Sequence, residues 1–399
     1  MRIALNKLSA LRVMRAIRCL AAVRQSVLPA SRTSSPAEVY PYEDCHPSTM
    51  LRDGRHRVDV AAPDASPRRR WGKNAIDVSR FGLENQIGDT HPLFVAVDDQ
   101  ANRLQMKSAV NTIYEREGGL PKGAFVDLGG GLLISSPELL FAEMASLMDL
   151  PHLALLGHEL CGSFSRNPDD PCNGNSVFGV APVTSVHRIG EFLESAKWLR
   201  GMNLAWRSLE CVSDNAWSPM EAIVSLMANM PESEFGYGMG RCVLNARVDT
   251  RGILHDASDA STRVPDILFE DVHVGLNYDG QGHLELYPIV DAAISLSKEP
   301  QNEGNRTQLG YAISNVREKA VDDLRRNREL AASGFIVLPV TKEDLYRKGG
   351  LDRVMAEVCA AIEAFDRKDM GRLRNLLAKD GLRMPRQRLI WSLLPHWGA

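Results

Sequence analysis

Three polar residues in one short segment have the types and the spacing that could hold a divalent metal ion. Asp266 precedes the apolar run Ile267–Phe269, and Asn277 and Asp279 end a second apolar run that follows a two-residue acidic turn. Two apolar runs around a tight turn predict a β-hairpin. Because side chains alternate between the faces of a strand, Asn277 and Asp279 share one face, and Asp266 can join them from the partner strand. Oxygen ligands of this kind suit Mg²⁺, which activates water for attack on a phosphodiester.

Each of these residues also has a plainer interpretation. Asp279 forms an Asp-Gly pair that is typical of a turn, and Asp266 follows a proline at the start of a strand. His283 could act as a general base or a phosphate donor, since a free histidine titrates near neutral pH, or it could be an ordinary loop residue. Asn277 offers only a neutral carbonyl, and the missing negative charge should weaken Mg²⁺ binding by about 1 kcal/mol or more.

The order of these residues resembles the very-short-patch-repair-like branch of the PD-(D/E)XK nuclease superfamily. In that branch a lone Asp precedes a strand that ends in a Glu-x-Asp-Gly-x-x-His-like sequence; a helix with an Asp-x-x-Arg pattern and another strand follow. The resemblance covers roughly residues 215 to 365 and includes a glutamate on the first helix. The residues that carry it are Glu221, Asp266, Asn277, Asp279, Gly280, His283, Asp323, Arg326, Leu330 and Gly334. The chain departs from the family at Asn277, where the family has Glu.

This resemblance implies a fold and a site. The fold would be α/β, with a mixed sheet flanked by helices (restriction-endonuclease-like) and a separate amino-terminal α+β module. Mg²⁺ would be held by Asp266 and Asp279, and Arg325 and Arg326 would contact DNA phosphates. The implied catalytic residues are Glu221, Asp266, Asn277, Asp279 and His283.

The implied function is that of a metal-dependent DNA endonuclease in the cytoplasm, with activity weakened or lost through Asn277. The alternative is a non-catalytic DNA-binding or antitoxin-like regulator that retains the nuclease fold, which would also allow a protein partner. Intact Asp266, Asp279 and His283 favour the first function, and Asn277 favours the second.

Two of the implied site residues also fit local structural roles. Ser218 and Glu221 have the spacing of a capping box, in which the glutamate reaches back to the start of its own helix. Asp323 and Arg326 are three residues apart on a predicted helix and can form a surface ion pair. The sequence leaves both roles open beside the catalytic and DNA-binding ones.

Two motifs in the amino-terminal half are similar to those of nuclease-like proteins of Actinobacteria, which implies a mobile-element or defence setting. One is a Ser-Pro-Glu-Leu sequence that contains Glu138, and the other is a Gly-His-Glu-Leu-Cys-Gly sequence that contains Glu159. Ser136 is a good N-cap with proline at the first helical position. His158, Glu159 and Cys161 have no fourth metal ligand nearby in sequence, so the pattern favours packing in the core.

The overall composition narrows the protein class. A chain of 399 residues is long enough for two domains, and 44% hydrophobic with 24% charged residues is typical of a globular protein. The net charge of −3 excludes a general nucleic-acid-binding surface, so any DNA contact must come from local patches. Seven cysteines without a Cys-x-x-Cys pair indicate free thiols in a reducing compartment. No apolar run is long enough for a membrane helix, so no membrane contact is expected.

The distribution of charge and turn residues predicts four regions. Residues 1–84 are predicted to be a basic, disordered extension that folding does not need, with a transit-peptide-like start. Residues 85–212 are predicted to form the small α+β module and residues 213–366 the nuclease-like domain. In that domain, residues 335–340 are predicted to be an interior strand and residues 284–316 a partly disordered insertion. The basic tail, 367–399, would contact nucleic acid or form a helix over 370–377 before a solvated end.

Overall fold

The computed structural model describes residues 3–27, 47–52, 54–58, 88, 91–114, 119–249, 262–279, 286–299 and 301–395. The chain divides into two compact units, Met1–Ala222 with Leu393–Ala399, and Ile223–Ser392. Both units combine strands with helices, so the α/β class predicted from the sequence is confirmed. None of the described helices has both the length and the apolar character needed to cross a bilayer.

The first unit contains eight strands and six helices among the residues that the structure describes. Its strands are β1 Ile3–Leu5, β2 Arg57–Val58, β3 Leu93–Val97, β4 Ala109–Ile113, β5 Phe125–Asp127, β6 Leu132–Ser135, β7 Phe164–Ser165 and β8 Val177–Phe178. Its helices are α1 Lys7–Val27, α2 Pro47–Arg52, α3 Pro137–Met144, α4 Leu150–Cys161, α5 Val186–Ser195 and α6 Met202–Leu209. The next helix, α7 Pro219–Asn229, contains the division between the units.

The amino-terminal segment belongs to the core of the first unit, so the predicted disordered extension over residues 1–84 is wrong for its described parts. The six-stranded mixed sheet has the order β2-β5-β6-β1-β3-β4. Strand β1 lies inside it, parallel to β6 and antiparallel to β3, and its residues are buried. The module therefore does not begin at residue 85.

The basic composition of helix α1 concealed how much of it is buried. Arg15 is 5% exposed and Arg18 is 1% exposed, and α1 packs on strands β3 and β6 and on helix α3. Both guanidinium groups reach carboxylate or carbonyl partners far along the chain. A buried arginine is tolerated when its donors are satisfied in this way.

The second unit holds a four-stranded sheet and its covering helices. Its strands are β9 Cys242–Leu244, β10 Val248–Asp249, β11 Thr262–Arg263, β12 Ile267–Phe269, β13 Val274–Asp279 and β14 Ile336–Thr341. Its helices are α8 Leu286–Lys298, α9 Glu303–Ala332, α10 Lys342–Tyr346, α11 Gly350–Phe365, α12 Gly371–Leu377 and α13 Asp380–Leu393. The sheet order is β14-β13-β12-β9, and β10 pairs separately with β11.

Strand β14 pairs with β13 in parallel, but the prediction of an interior strand is wrong. Among the described residues β14 is an edge of the sheet, and Val340 is its one fully buried residue. Helices α9, α10 and α11 contact the strand. Cover from helices explains why an edge strand carries an apolar sequence that resembles that of an interior one.

Two predicted irregular regions are helical instead. The region predicted as a partly disordered insertion forms α8 and the first half of α9, which starts after the N-cap Asn302. The carboxy-terminal region forms α12, which confirms the helix predicted over 370–377, and then α13, where a solvated end was predicted. The Arg386 side chain of α13 is 2% exposed, paired with Asp352 at 2.6 Å and stacked 4.6 Å from the centre of the Tyr237 ring. The prediction of a solvated tail is therefore wrong for residues up to 395. Trp397 lies outside the described residues.

Candidate functional site

The hairpin that the sequence predicted forms between β12 and β13. Ile267 lies opposite Leu276 and Leu268 opposite Gly275, in antiparallel pairing. Gly275 is required by this close approach, because a Cβ atom there would lie 2.4 Å from the carbonyl oxygen of Ile267. Asp271 in the turn has φ +62°, a left-handed conformation that Asp tolerates better than most residues. The register puts the residue before β12 across from Asn277.

Two hydrogen bonds tie Asp266 to the end of strand β13, one to Asn277 and one to Tyr278. The backbone N–H of Asp266 donates to Oδ1 of Asn277 at 3.0 Å. The backbone N–H of Tyr278 donates to Oδ2 of Asp266 at 2.7 Å. The two side chains thus close the open end of the hairpin, where the strand ladder stops, and this fixes their positions.

Asn277 combines deep burial with an unused hydrogen-bond donor. The residue is 3% exposed, and among the described residues its Nδ2 has no hydrogen-bond partner. Its carbonyl oxygen already accepts from the backbone, so the amide group is held with its donor side free. A buried polar group in this state is costly, typically by about 1–3 kcal/mol, and is satisfied when an acceptor binds to it.

Asp279 lies at the carboxyl end of β13, opposite Thr341 at the end of β14. It is two residues beyond Asn277 and therefore on the same face of the strand. Burial raises the pKa of neighbouring Tyr278, and Tyr346, Glu343 and Asp279 act in the same direction. The ends of the two parallel strands thus form a polar, partly exposed edge beside a tyrosine that stays protonated at neutral pH.

The side-chain oxygens of Asp266, Asn277 and Asp279 do not make up a tight Mg²⁺ site. Asp266 and Asp279 supply two carboxylates, but one oxygen of Asp266 and the carbonyl of Asn277 already accept backbone N–H groups. Within the part of the chain that the structure describes, no three His, Cys, Asp or Glu side chains form a possible metal-binding group. Mg²⁺ binds through carboxylates while keeping several waters, so this set would hold the ion weakly.

The other predicted site residues have local partners or lie outside the described residues. The carboxylate of Glu221 accepts from the backbone N–H of Trp217 at 3.0 Å, and Ser218 caps the same helix, so the capping role is confirmed. Arg326 pairs with Asp323 at 3.5 Å, which confirms the predicted ion pair. Arg325 is on α9 with that pair, and His283 falls outside the described residues.

The amino-terminal motifs hold the first unit together. The Glu159 carboxylate, 1% exposed, accepts from Arg15 Nε and Nη2 at 2.8 and 2.7 Å, and from Arg166 Nε at 2.8 Å. Glu138 accepts from Arg57 at 2.8 Å. Sequence reasoning missed the pairs of Arg15 and Arg57 because these two arginines lie in the segment predicted to be disordered.

Comparisons with known proteins leave the site to be interpreted from its own geometry. No protein-family model, no curated protein and no solved structure matches the chain.

Proposed function

We propose that the second unit is a nuclease-like domain that acts on DNA, with metal-dependent cleavage weakened by the residue at position 277. The hairpin is the observation that supports this proposal. Asp266 and Asp279 share the face of the sheet on which Asn277 takes the third position. Two carboxylates at one end of a hairpin can hold a hydrated Mg²⁺ that polarises a phosphodiester.

The order of elements in the chain gives the proposal further support. Helix α7, which contains Glu221, is followed by the antiparallel strands β9, β12 and β13, and then, after the additional helix α8, by α9 and the parallel strand β14. This is the order in which the resemblance to the very-short-patch-repair-like nucleases expects a helix, a hairpin, a second helix and a final strand. A restriction-endonuclease-like fold is therefore part of the proposal.

A second candidate function is a non-catalytic DNA-binding regulator, and Asn277 is the observation that favours it. Its Oδ1 is used by a backbone N–H, and its free Nδ2 is a donor that repels a cation and suits an oxygen of a phosphate. In this role the hairpin would bind the DNA backbone without cutting it. The protein would then need no metal.

Plasmid cleavage by the full chain, with Mg²⁺ or Mn²⁺, tests the first function. DNA binding is measured in parallel by fluorescence anisotropy at fixed salt, since phosphate contacts depend strongly on salt. We expect slow metal-dependent cleavage that Asp279→Asn abolishes. Asp271→Asn is the matched control, because it removes the same charge at the other end of the same hairpin, and it should keep the activity.

The two candidate functions give different outcomes. DNA binding without cleavage under any metal condition would replace the nuclease by the regulator. Cleavage that survives Asp279→Asn, or a chain that neither binds nor cuts DNA, would refute the proposed site.

A further inference from the structure

The first unit contains a cavity of about 430 Å³ that is lined mostly by charged side chains. Arg57 and Glu138 form its polar floor, and their side chains are 10% and 6% exposed. Arg188 and Lys122 line it from helix α5 and from the loop before β5. The volume is within the range of pockets that bind small molecules, roughly 300–1,000 Å³.

Specific hydrogen bonds and ion pairs hold the side chains at the floor of the cavity in place. Glu138 accepts from Arg57 Nη1 at 2.8 Å, from Thr184 Oγ1 at 2.7 Å and from Arg188 Nη2 at 3.3 Å. These donors outweigh the burial of the carboxylate, so the pKa of Glu138 lies below its ordinary value. Gly123 has φ +72° and lies so close to Arg57 that a Cβ atom there would be 3.1 Å from the arginine Cβ. The glycine thus leaves the space that the Arg57 side chain occupies in the lining.

The charges of the lining do not cancel. Two arginines share the single carboxylate of Glu138, which leaves one positive charge unbalanced at the floor. Lys122 adds a second positive charge and Glu191 a second negative one, so the described lining has three basic and two acidic side chains and a net charge of +1; the Glu191 side chain is 67% exposed. Arg57 also has a buried Nε without a hydrogen-bond partner in the part of the chain that the structure describes.

We propose that this cavity binds a small phosphomonoester. A tetrahedral dianion can accept from several donors at once, which matches the two basic side chains, Arg188 and Lys122, that line the cavity beside the Arg57–Glu138 pair. Glu138 already accepts from both Nη atoms of Arg57, so this arginine is not available to pair with the carboxylate of a ligand. Phe192 and Pro121 complete the lining and give the carbon part of the ligand an apolar wall.

Isothermal titration calorimetry of the full chain at constant ionic strength tests the proposal by measuring the affinities of inorganic phosphate, phenyl phosphate and benzoate. We expect saturable binding of both phosphates, tighter for phenyl phosphate, and much weaker binding of benzoate. Arg188→Gln and Lys122→Gln should each weaken phosphate binding roughly tenfold, since each removes a charge-assisted hydrogen bond. Lys107→Gln, an exposed lysine that does not line the cavity, is the matched control and should bind like the parent.

Several results would overturn the assignment. These are no phosphate binding by the parent chain, an equal loss in Lys107→Gln, or benzoate bound as tightly as phenyl phosphate. A DNA duplex without terminal phosphates that displaces phenyl phosphate would show that the cavity takes nucleic acid instead. Thermal unfolding of each variant, unchanged from the parent, shows that a loss of binding is not a loss of folding.

Discussion

A buried polar side chain in each unit, Glu159 in the first and Asn277 in the second, differs in how far its hydrogen bonds are satisfied. In the first unit Glu159 is surrounded by Arg15, Arg166 and backbone N–H donors, and these hold its pKa well below the ordinary value despite complete burial. In the second unit the Asp266 carboxylate accepts from the backbone N–H of Tyr278, and Asn277 beside it keeps a buried donor, Nδ2, without a hydrogen-bond partner among the described residues. Satisfied buried charges stabilise a fold, whereas unsatisfied groups at a strand end are available to a ligand.

The same comparison gives the two amino-terminal motifs, which contain Glu138 and Glu159, a structural role. Both amino-terminal motifs look like candidate sites, yet their glutamates are occupied by arginines of the first unit. We therefore expect changes at Glu159 to act on stability, and changes at Asn277 to act on ligand binding. Five experiments test this division, from the largest expected effect to the smallest.

Deletion of residues 1–27 should have the largest effect. It removes strand β1 from between β3 and β6 and takes Arg15 away from Glu159. We expect the first unit to lose its cooperative thermal transition and to become sensitive to limited proteolysis. A deletion variant that melts like the parent would refute the central role of β1.

Two alanine variants in the same amino-terminal segment separate the effect of a leucine's burial on stability from the effect of its position in the sequence. Leu5 is 1% exposed and Leu8 is 40% exposed. Leu5→Ala should destabilise the first unit by about 2–5 kcal/mol, and Leu8→Ala by about 0.5 kcal/mol or less.

Replacing Glu159 by Gln should destabilise the first unit by about 3–5 kcal/mol, because two buried guanidinium groups lose their counter-charge. Urea unfolding measures the change. Asp169→Asn is the control, since Asp169 is 43% exposed in its pair with Arg12, and it should cost at most about 1 kcal/mol. Equal effects of the two substitutions would show that the buried network has no special role.

The pH dependence of stability should have opposite signs for two buried glutamates of the first unit. Glu159 has a lowered pKa, so its contribution is present above the ordinary glutamate pKa and is lost as the pH falls. Burial raises the pKa of Glu143, which accepts from Tyr114 and Ser135, so its contribution is present at low pH and is lost as the pH rises through the raised value.

Unfolding free energies from pH 3 to pH 8 measure both dependences. The deficit of Glu159→Gln relative to the parent should shrink toward pH 3, and that of Glu143→Gln should shrink toward pH 8. Parallel profiles for the two variants would contradict the assigned shifts.

The smallest expected effect concerns the hairpin. Asn277→Glu adds the third carboxylate and should raise Mg²⁺ affinity roughly tenfold, with faster DNA cleavage. Asn277→Asp adds the same charge in the shape of the native amide and keeps an acceptor for the N–H of Asp266. Without metal, both variants should lose about 1 kcal/mol of stability through repulsion from Asp266 and Asp279.

Metal titration followed by plasmid cleavage measures this prediction. The double change Asn277→Glu with Asp279→Ala should show no gain, because it returns the site to two carboxylates. If neither single variant binds Mg²⁺ better, the hairpin is not a metal site that lost one ligand, and the regulator becomes the better interpretation.

Local signals in the sequence were sufficient for the hairpin and for several caps. Apolar runs on both sides of an acidic turn predicted β12 and β13, and Ser136 caps α3 as its sequence indicates. Gly129, Gly130 and Gly131, a run typical of a tight turn, all have positive φ in the turn between β5 and β6. These features depend on neighbours within a few residues, which a sequence displays directly.

Long-range features could not be predicted in the same way. The arginines of α1 look like those of an exposed basic segment until Glu159, more than a hundred residues away, supplies the counter-charge. The bond from the backbone of Asp266 to Asn277 depends on the strand register, which the residue types leave open. The second half of α9 was predicted as a helix, but α8 and the first half of α9 were missed; the polar sequence of α9 gives it only a weak apolar period.

The position of β1 also determines when the first unit can fold during synthesis. Both edges of this strand are completed by partners that the ribosome makes much later, β3 and then β6. Until β6 emerges, β1 presents unpaired N–H and carbonyl groups on an apolar segment, a state open to pairing with other chains. Pairing over such distances along the chain is slow. We therefore expect the nascent first unit to depend on chaperones more than its size would suggest.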